Sequence, residues 1–121
     1  MAKILLCEDS AFFAQAIQIT LKTAGHEIIH CLDGELGVAK LNEEKDFDLV
    51  LCDIMMPKLD GFGVLKAIQD DPDLAKIPFI FLTGVSDMDS VERGKDLGAK
   101  DYFIKSNVSM DKLVDLVKKY T

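Results

Sequence analysis

Leu49-Val50-Leu51-Cys52-Asp53-Ile54-Met55-Met56-Pro57 decides the fold of this chain. Four apolar residues run into one carboxylate, Asp53, and the chain then reaches a proline. A buried strand that ends on an acid at the mouth of a loop is a place to do chemistry. The same design recurs on either side. Lys3-Ile4-Leu5-Leu6-Cys7 ends on Glu8 and Asp9, Phe79 to Leu82 ends on Thr83, and Asp101 to Ile104 ends on Lys105. If the strands are parallel, three acids, a hydroxyl and an amine gather at one edge of a sheet. That set suits a metal ion and a phosphoryl group.

Between these strands the apolar period changes from continuous to helical. Ser10 can cap a helix in which Phe13, Ala16, Ile17, Leu21 and Ala24 recur at helical spacing, and Gly25 stops it. Glu27 to Cys31 is a second strand. Asp33-Gly34 leads into a second helix, Glu35 to Glu44, with Val38 and Leu41 facing inward. Asp48 to Cys52 is the third strand, and Gly61 to Asp70 the third helix, with Val64, Leu65 and Ile68 inward. Pro72 and Pro78 bracket a loop. Ser86 and Asp87 open a fourth helix that ends near Leu97, before Gly98. Ser109 opens a last helix, whose Leu113, Leu116, Val117 and Tyr120 share a face.

Five strands alternating with five helices predict an α/β fold. Near-continuous apolar strands belong to a sheet covered on both faces, hence a parallel one. A flavodoxin-like doubly wound order, 2-1-3-4-5, sets strands one and three side by side at the switch point where ligands bind. Glu8, Asp9 and Asp53 then meet. At 121 residues, with no linker or repeat, the chain is expected to be a single domain, 1–121.

Composition narrows the function. The net charge of −7 argues against nucleic acid or an anionic membrane as partner. No apolar run approaches the ~20 residues that cross a bilayer. Glu8 and Asp9 break the N-terminal apolar stretch too early for a signal peptide, so a cytoplasmic location is expected. Cys7, Cys31 and Cys52 have no paired spacing and sit in or beside apolar strands, as small buried residues do. His26 and His30 flank a strand and are expected at the surface or a strand end, without a role.

Three crowded carboxylates repel. At ~4 Å and an effective dielectric near ~20, each like-charge pair costs on the order of 4 kcal/mol. Mg2+ suits hard oxygen ligands, and Lys105 supplies a second cation. Acids at strand ends also serve as solvated loop residues or helix caps. The coincidence of an acidic pair, a lone acid, a hydroxyl and a lysine at one end favours a site.

These residues carry a resemblance that runs from end to end. Cys7-Glu8-Asp9-Ser10, Asp53-Ile54-Met55-Met56-Pro57 with Asp60-Gly61, Leu82-Thr83-Gly84 and Tyr102-Phe103-Ile104-Lys105 resemble, in order and spacing, a response-regulator receiver domain of chemotaxis type. The resemblance implies a phosphorylation-activated switch in a two-component phosphorelay. Asp53 accepts a phosphoryl group from a histidine kinase or phosphotransfer protein. Asp9, Asp53 and the Met55 backbone carbonyl hold Mg2+ directly, and Glu8 reaches it through water. Lys105 and Thr83 contact the phosphoryl group, and Thr83 and Tyr102 form the switch. The fourth helix, fifth strand and last helix make the face that dimerises or meets a downstream protein target. Arg93, Lys95, Asp96 and Asp115 could pair there, or equally form a solvated surface. The first helix docks the kinase, which makes Phe12, Ala14 and Gln15 candidate contacts; Phe12 could equally pack at a helix edge.

The family usually has proline after the lysine, often with a cis bond, whereas Ser106 follows Lys105. A cis bond there would cost ~3 kcal/mol. Met55 and Val85 occupy positions that tune dephosphorylation in the family, and neither can hydrogen-bond an attacking water, so slow loss of phosphate is expected. Gly84 leaves the site open to small donors such as acetyl phosphate.

The chain is thus expected to catalyse only its own phosphorylation and dephosphorylation and to act by binding. It ends at Thr121 without an output domain, as either a stand-alone receiver or part of a larger regulator; beginning at Met1 favours a natural N-terminus. The alternative is an enzyme, a small aspartate-nucleophile phosphatase or phosphotransferase. Phosphatases of the haloacid-dehalogenase type need a second acid two residues after the nucleophile, where Met55 stands here, and a cap for which there is no length. A flavodoxin-type binding module lacks its phosphate cradle, because Glu8-Asp9-Ser10 is acidic where that phosphate would sit.

Overall fold

The computed structural model describes residues 1–84, 88–105 and 109–121. Five strands, β1 (Lys3–Cys7), β2 (Glu27–Cys31), β3 (Leu49–Asp53), β4 (Phe79–Thr83) and β5 (Asp101–Ile104), form one sheet. Its order is β2-β1-β3-β4-β5, and every neighbouring pair is parallel. The doubly wound, flavodoxin-like order expected from the apolar runs is therefore the observed one. β1 connects leftward to β2 and the chain then crosses back to β3, so the switch point lies between β1 and β3.

Alternation along each strand divides the core. Leu5, Cys7, Val50, Cys52, Phe79 and Phe81 point to one face and pack with residues of α2 (Gly34–Glu43) and α3 (Gly61–Ile68). Ile4, Leu6, Leu49, Leu51, Ile80 and Leu82 point to the other and pack under α1 (Ala11–Thr23) and α6 (Met110–Tyr120). Both faces are covered, which is why β3 and β4 are buried throughout. Phe79, Phe81 and Phe62 form an edge-to-face ladder that ties β4 to α3.

Caps fix where the helices begin. The side chains of Ser10, Asp33 and Asp60 accept from the amides of Phe13, Leu36 and Gly63, each replacing a partner the first turn lacks. Gly25, at φ 98°, ends α1 in a conformation few other residues adopt, and Gly98, at φ 106°, follows α5 (Met88–Asp96).

The structure corrects one element. Pro72 to Pro78 was expected to be loop throughout, but α4 (Pro72–Ala75) is a helical turn, so six helices rather than five stand among the described residues. Pro72 falls in the first turn, where its missing N–H is no loss, and the Asp71 carboxylate caps the Asp73 amide at 2.9 Å. Leu74 then buries against the core. The expected opening of the fourth helix at Ser86 and Asp87 lies outside the described residues.

The histidines stand at the two ends of β2, one of the expected placements, and both are half-buried and hydrogen-bonded. His26 Nδ1 accepts from the Ala2 amide at 3.0 Å, and burial lowers its pKa. His30 Nε2 lies 2.7 Å from the Glu8 carbonyl oxygen, so Nε2 carries the donated proton. The three cysteines are buried and free, and burial pushes the Cys31 thiol up to about 11 and the Cys52 thiol well up. They are packing residues, as their neighbours in the sequence suggest.

Candidate functional site

Parallel register brings the strand ends to one edge. Cys7 pairs with Cys52, Asp53 with Leu82, and Thr83 with Ile104, so Glu8-Asp9, Asp53, Thr83 and Lys105 all emerge there. Glu8 and Asp53 are buried and Asp9 is exposed. One carboxylate oxygen from each of the three lies within 4.8 Å of the others. The expected meeting of strands one and three takes place.

Lys105 Nζ stands 2.8 Å from Asp53 Oδ2 and also forms an ion pair with Glu8 Oε1. Burial works to lower the pKa of Lys105, but its hydrogen bonds to Asp53 and Glu8 outweigh that and raise it. The amine is therefore charged. Burial pushes the Glu8 carboxyl up to about 7; the Lys105 hydrogen bond opposes this and Asp53 adds to it. Glu8 Oε2 accepts from the Ser10 amide at 3.1 Å. Glu8 Oε1 is buried and its partner is the Lys105 ammonium.

This donor set fits a hard divalent cation. All three acids offer oxygen, and the net charge of three acids and one lysine is negative. Met55 follows in the β3–α3 loop, and among the described residues no backbone amide donates to its carbonyl. The loop is held by the Gly61 amide, which donates to the Ile54 carbonyl at 2.8 Å. Gly61 is required by space, since a Cβ there would overlap the Asp53 carbonyl oxygen.

Thr83 is buried at the end of β4. Tyr102 is half-buried against the core face that carries Phe81, with Lys95 Nζ 5.3 Å from its ring centroid. A Cβ on Gly84 would meet nothing within 4 Å among the described residues. Val85 and Ser106, with its peptide bond to Lys105, lie outside the described residues.

On α1, Phe12 and Gln15 are exposed as expected of contacts, but Ala14 is not, because it faces the sheet with Ile17 and Leu21 and is 1% exposed. It cannot meet a partner. Arg93 lies over the Phe62 ring, 4.2 Å from its centroid, so it closes the α3–α5 seam. One neighbour of the site was overlooked in the sequence: Phe13, read only as an inward residue of α1, places its ring centroid 4.7 Å from Lys105 Nζ. Helical spacing gives no sign of that contact, which depends on a lysine 92 residues away in sequence.

Comparison with known proteins agrees with this geometry. The family model for the response regulator receiver domain matches residues 4–118. A gliding motility regulatory protein of Myxococcus xanthus is 31% identical over 119 residues, covering 98% of this chain and 15% of its own length. A probable transcriptional regulator of Porphyridium aerugineum is 37% identical over 103 residues, covering 85% of this chain and 41% of its own. The chain thus spans less than half the length of either. The structure of a chemotaxis response regulator of Vibrio cholerae superposes with a TM-score of 0.92 at 28% identity, covering 100% of this chain and 99% of that one. Since the family match takes in nearly every strand and helix described above, the chain belongs to the response regulator receiver domains, the switches of two-component signalling.

Proposed function

We propose that Asp53 is the phosphoacceptor and that residues 1–121 act as one receiver unit, switched by a histidine kinase or phosphotransfer protein. The observation that carries this reading is the pairing of Asp53 with Lys105 at 2.8 Å, inside a cluster of three acids at the switch point. An Asp53 carboxylate oxygen attacks phosphorus, the bond from phosphorus to the donor imidazole breaks, and the imidazole leaves with the bonding pair. Lys105, already charged, pairs with the oxygens that gain negative charge. Asp9, Asp53 and the Met55 carbonyl would hold Mg2+, with Glu8 acting through water, and the ion would neutralise charge on the transferred oxygens.

Thr83 and Tyr102 make the output. The Thr83 hydroxyl donates to a phosphoryl oxygen on Asp53, and Tyr102, two positions back along β5 from Ile104, which pairs with Thr83, shifts inward from its half-buried place. Tyr102, Lys95, Asp101 and Lys112 line an open groove at α5, β5 and α6, the face assigned here to a downstream protein or a second copy. The chain turns over no other substrate and works in the cytoplasm. None of the described helices is long and apolar enough to cross a membrane.

The test is phosphorylation by acetyl phosphate with Mg2+, read by intact mass beside Asp53→Asn. A gain of one phosphate by the wild type alone, lost on chelation of Mg2+, is expected. An equal gain by Asp53→Asn would refute the acceptor.

A further inference from the structure

The Lys105 ammonium pairs with Glu8 and Asp53 and also lies over the Phe13 ring, 4.7 Å from its centroid. An ammonium has three N–H donors on a flexible stem. With two carboxylates as partners, the ring occupies ground that water would otherwise take, and its negative face attracts the charge. The Lys105 side chain is only 17% exposed as a result. Phe13 is itself anchored. Its amide donates to the Ser10 hydroxyl at 3.3 Å in the cap of α1, and its side chain packs on the core under α1 and α6. The turn that begins directly after Glu8 and Asp9 thus carries a ring under the amine that must meet the phosphoryl oxygens.

We propose that Phe13 is a positioning residue for phosphoryl transfer, its ring holding the Lys105 ammonium at Asp53 before the phosphoryl group arrives. This rests on the assignment of Asp53 as acceptor. Phe13 touches no reacting atom and acts through Lys105. A leucine would fill much of the same space without a π face, and a tyrosine would keep the face.

Three measurements on the whole chain test it. The first is the proton NMR shift of the Lys105 ε-methylene in the metal-free protein. It is expected upfield in the wild type and in Phe13→Tyr, and near its unperturbed position in Phe13→Leu. The second is phosphorylation by acetyl phosphate with Mg2+. Phe13→Leu is expected to lower the maximal rate roughly two- to thirty-fold, the range for a cation over an aromatic face, with the half-saturating donor concentration little changed and Phe13→Tyr restoring the rate. The third repeats Phe13→Leu in a Lys105→Met background, where no further loss is expected because the ring has no ammonium to hold. Equal losses in both backgrounds, an unshifted ε-methylene, or a full rate in Phe13→Leu beside an active wild type would each overturn the role of Phe13 alone. A wild type that takes no phosphate at all would overturn the acceptor assignment, and this role with it.

Discussion

Lys105 Nζ lies 2.8 Å from Asp53 Oδ2, and the same ammonium pairs with Glu8, so one amine at the end of β5 ties together acids from β1 and β3. It supplies part of the positive charge that three close carboxylates require, and with Asp53 as acceptor it would face the oxygens that become more negative on transfer. On the proposed reading, replacing it would remove a charged donor from the transition state and delete a cation that competes with Mg2+. Lys105→Met is therefore expected to slow phosphorylation by about 10²-fold or more, and to bind Mg2+ more tightly than the wild type. Intact-mass time courses and a Mg2+ titration check both halves. Weaker Mg2+ binding would contradict the competition.

Glu8 gives the metal-free protein a pH dependence of defined sign. Burial raises its carboxyl from the usual 4.5 to about 7. Between those values the folded chain holds a proton that the unfolded chain has released. Its contribution to stability is fully present below the unfolded value and is lost as pH rises through about 7, by an amount on the order of 3 kcal/mol. Mg2+ bound at this cluster would favour the ionised form and reverse the loss. Melting curves with and without Mg2+ should show a larger stabilisation by the ion at about pH 8 than at about pH 5.5. Equal stabilisation at both would mean that Glu8 is already ionised without metal.

Two glycines near the site should respond oppositely to one added methyl group. At Gly61 a Cβ overlaps the Asp53 carbonyl oxygen and stands 2.9 Å from the Ile54 Cα, both backbone atoms where β3 passes into the loop before α3. At Gly84 it meets nothing within 4 Å among the described residues. Gly61→Ala should cost about 1–3 kcal/mol and slow phosphorylation. Gly84→Ala should stay within about 0.5 kcal/mol. Urea unfolding of the two variants decides. A neutral Gly61→Ala would show that the loop gives way without cost.

Met55 is 71% exposed two residues after Asp53, the proposed acceptor, and its thioether offers an attacking water no useful hydrogen bond. An asparagine there presents an amide that can orient water toward the acyl phosphate. Met55→Asn is expected to speed loss of phosphate several-fold without altering its uptake. The decay of phosphorylated protein after removal of acetyl phosphate gives the rate, and an unchanged decay would remove Met55 from the account.

The sheet and its acids were legible because both depend on local sequence. Leu49 to Cys52 is apolar on both faces, which only a covered parallel strand allows, and parallel register then carries each strand-end residue to the same edge. What was hidden depends on packing or on position within a turn. Pro72 reads as a helix breaker until Asp71 is seen to cap the turn it begins. Ala14 could be assigned to either side of α1, since its small side chain leaves little mark on the apolar period. Phe13 was counted as core because a long-range contact with Lys105 has no local trace. The charge of Glu8 was equally out of reach. A dyad of adjacent acids reads the same whether both are solvated or, as here, one is buried and the other exposed.

That burial also separates two routes to Asp53. Phe12 is 85% exposed in the first turn of α1, the helix that begins directly after Glu8, Asp9 and Ser10, whereas the ring over Lys105 is that of Phe13. An aromatic ring left in water beside the site can add binding surface for a protein donor. It can do little for a small one. Phe12→Ala should therefore leave phosphorylation by acetyl phosphate unchanged and the melting temperature nearly so, while raising the concentration of kinase or phosphotransfer protein needed for half-maximal transfer by roughly tenfold, the scale of an interface aromatic. Both donors are assayed on the same preparation. An equal effect on the two would assign Phe12 to the site itself, and no effect on either would leave it a solvated edge of α1.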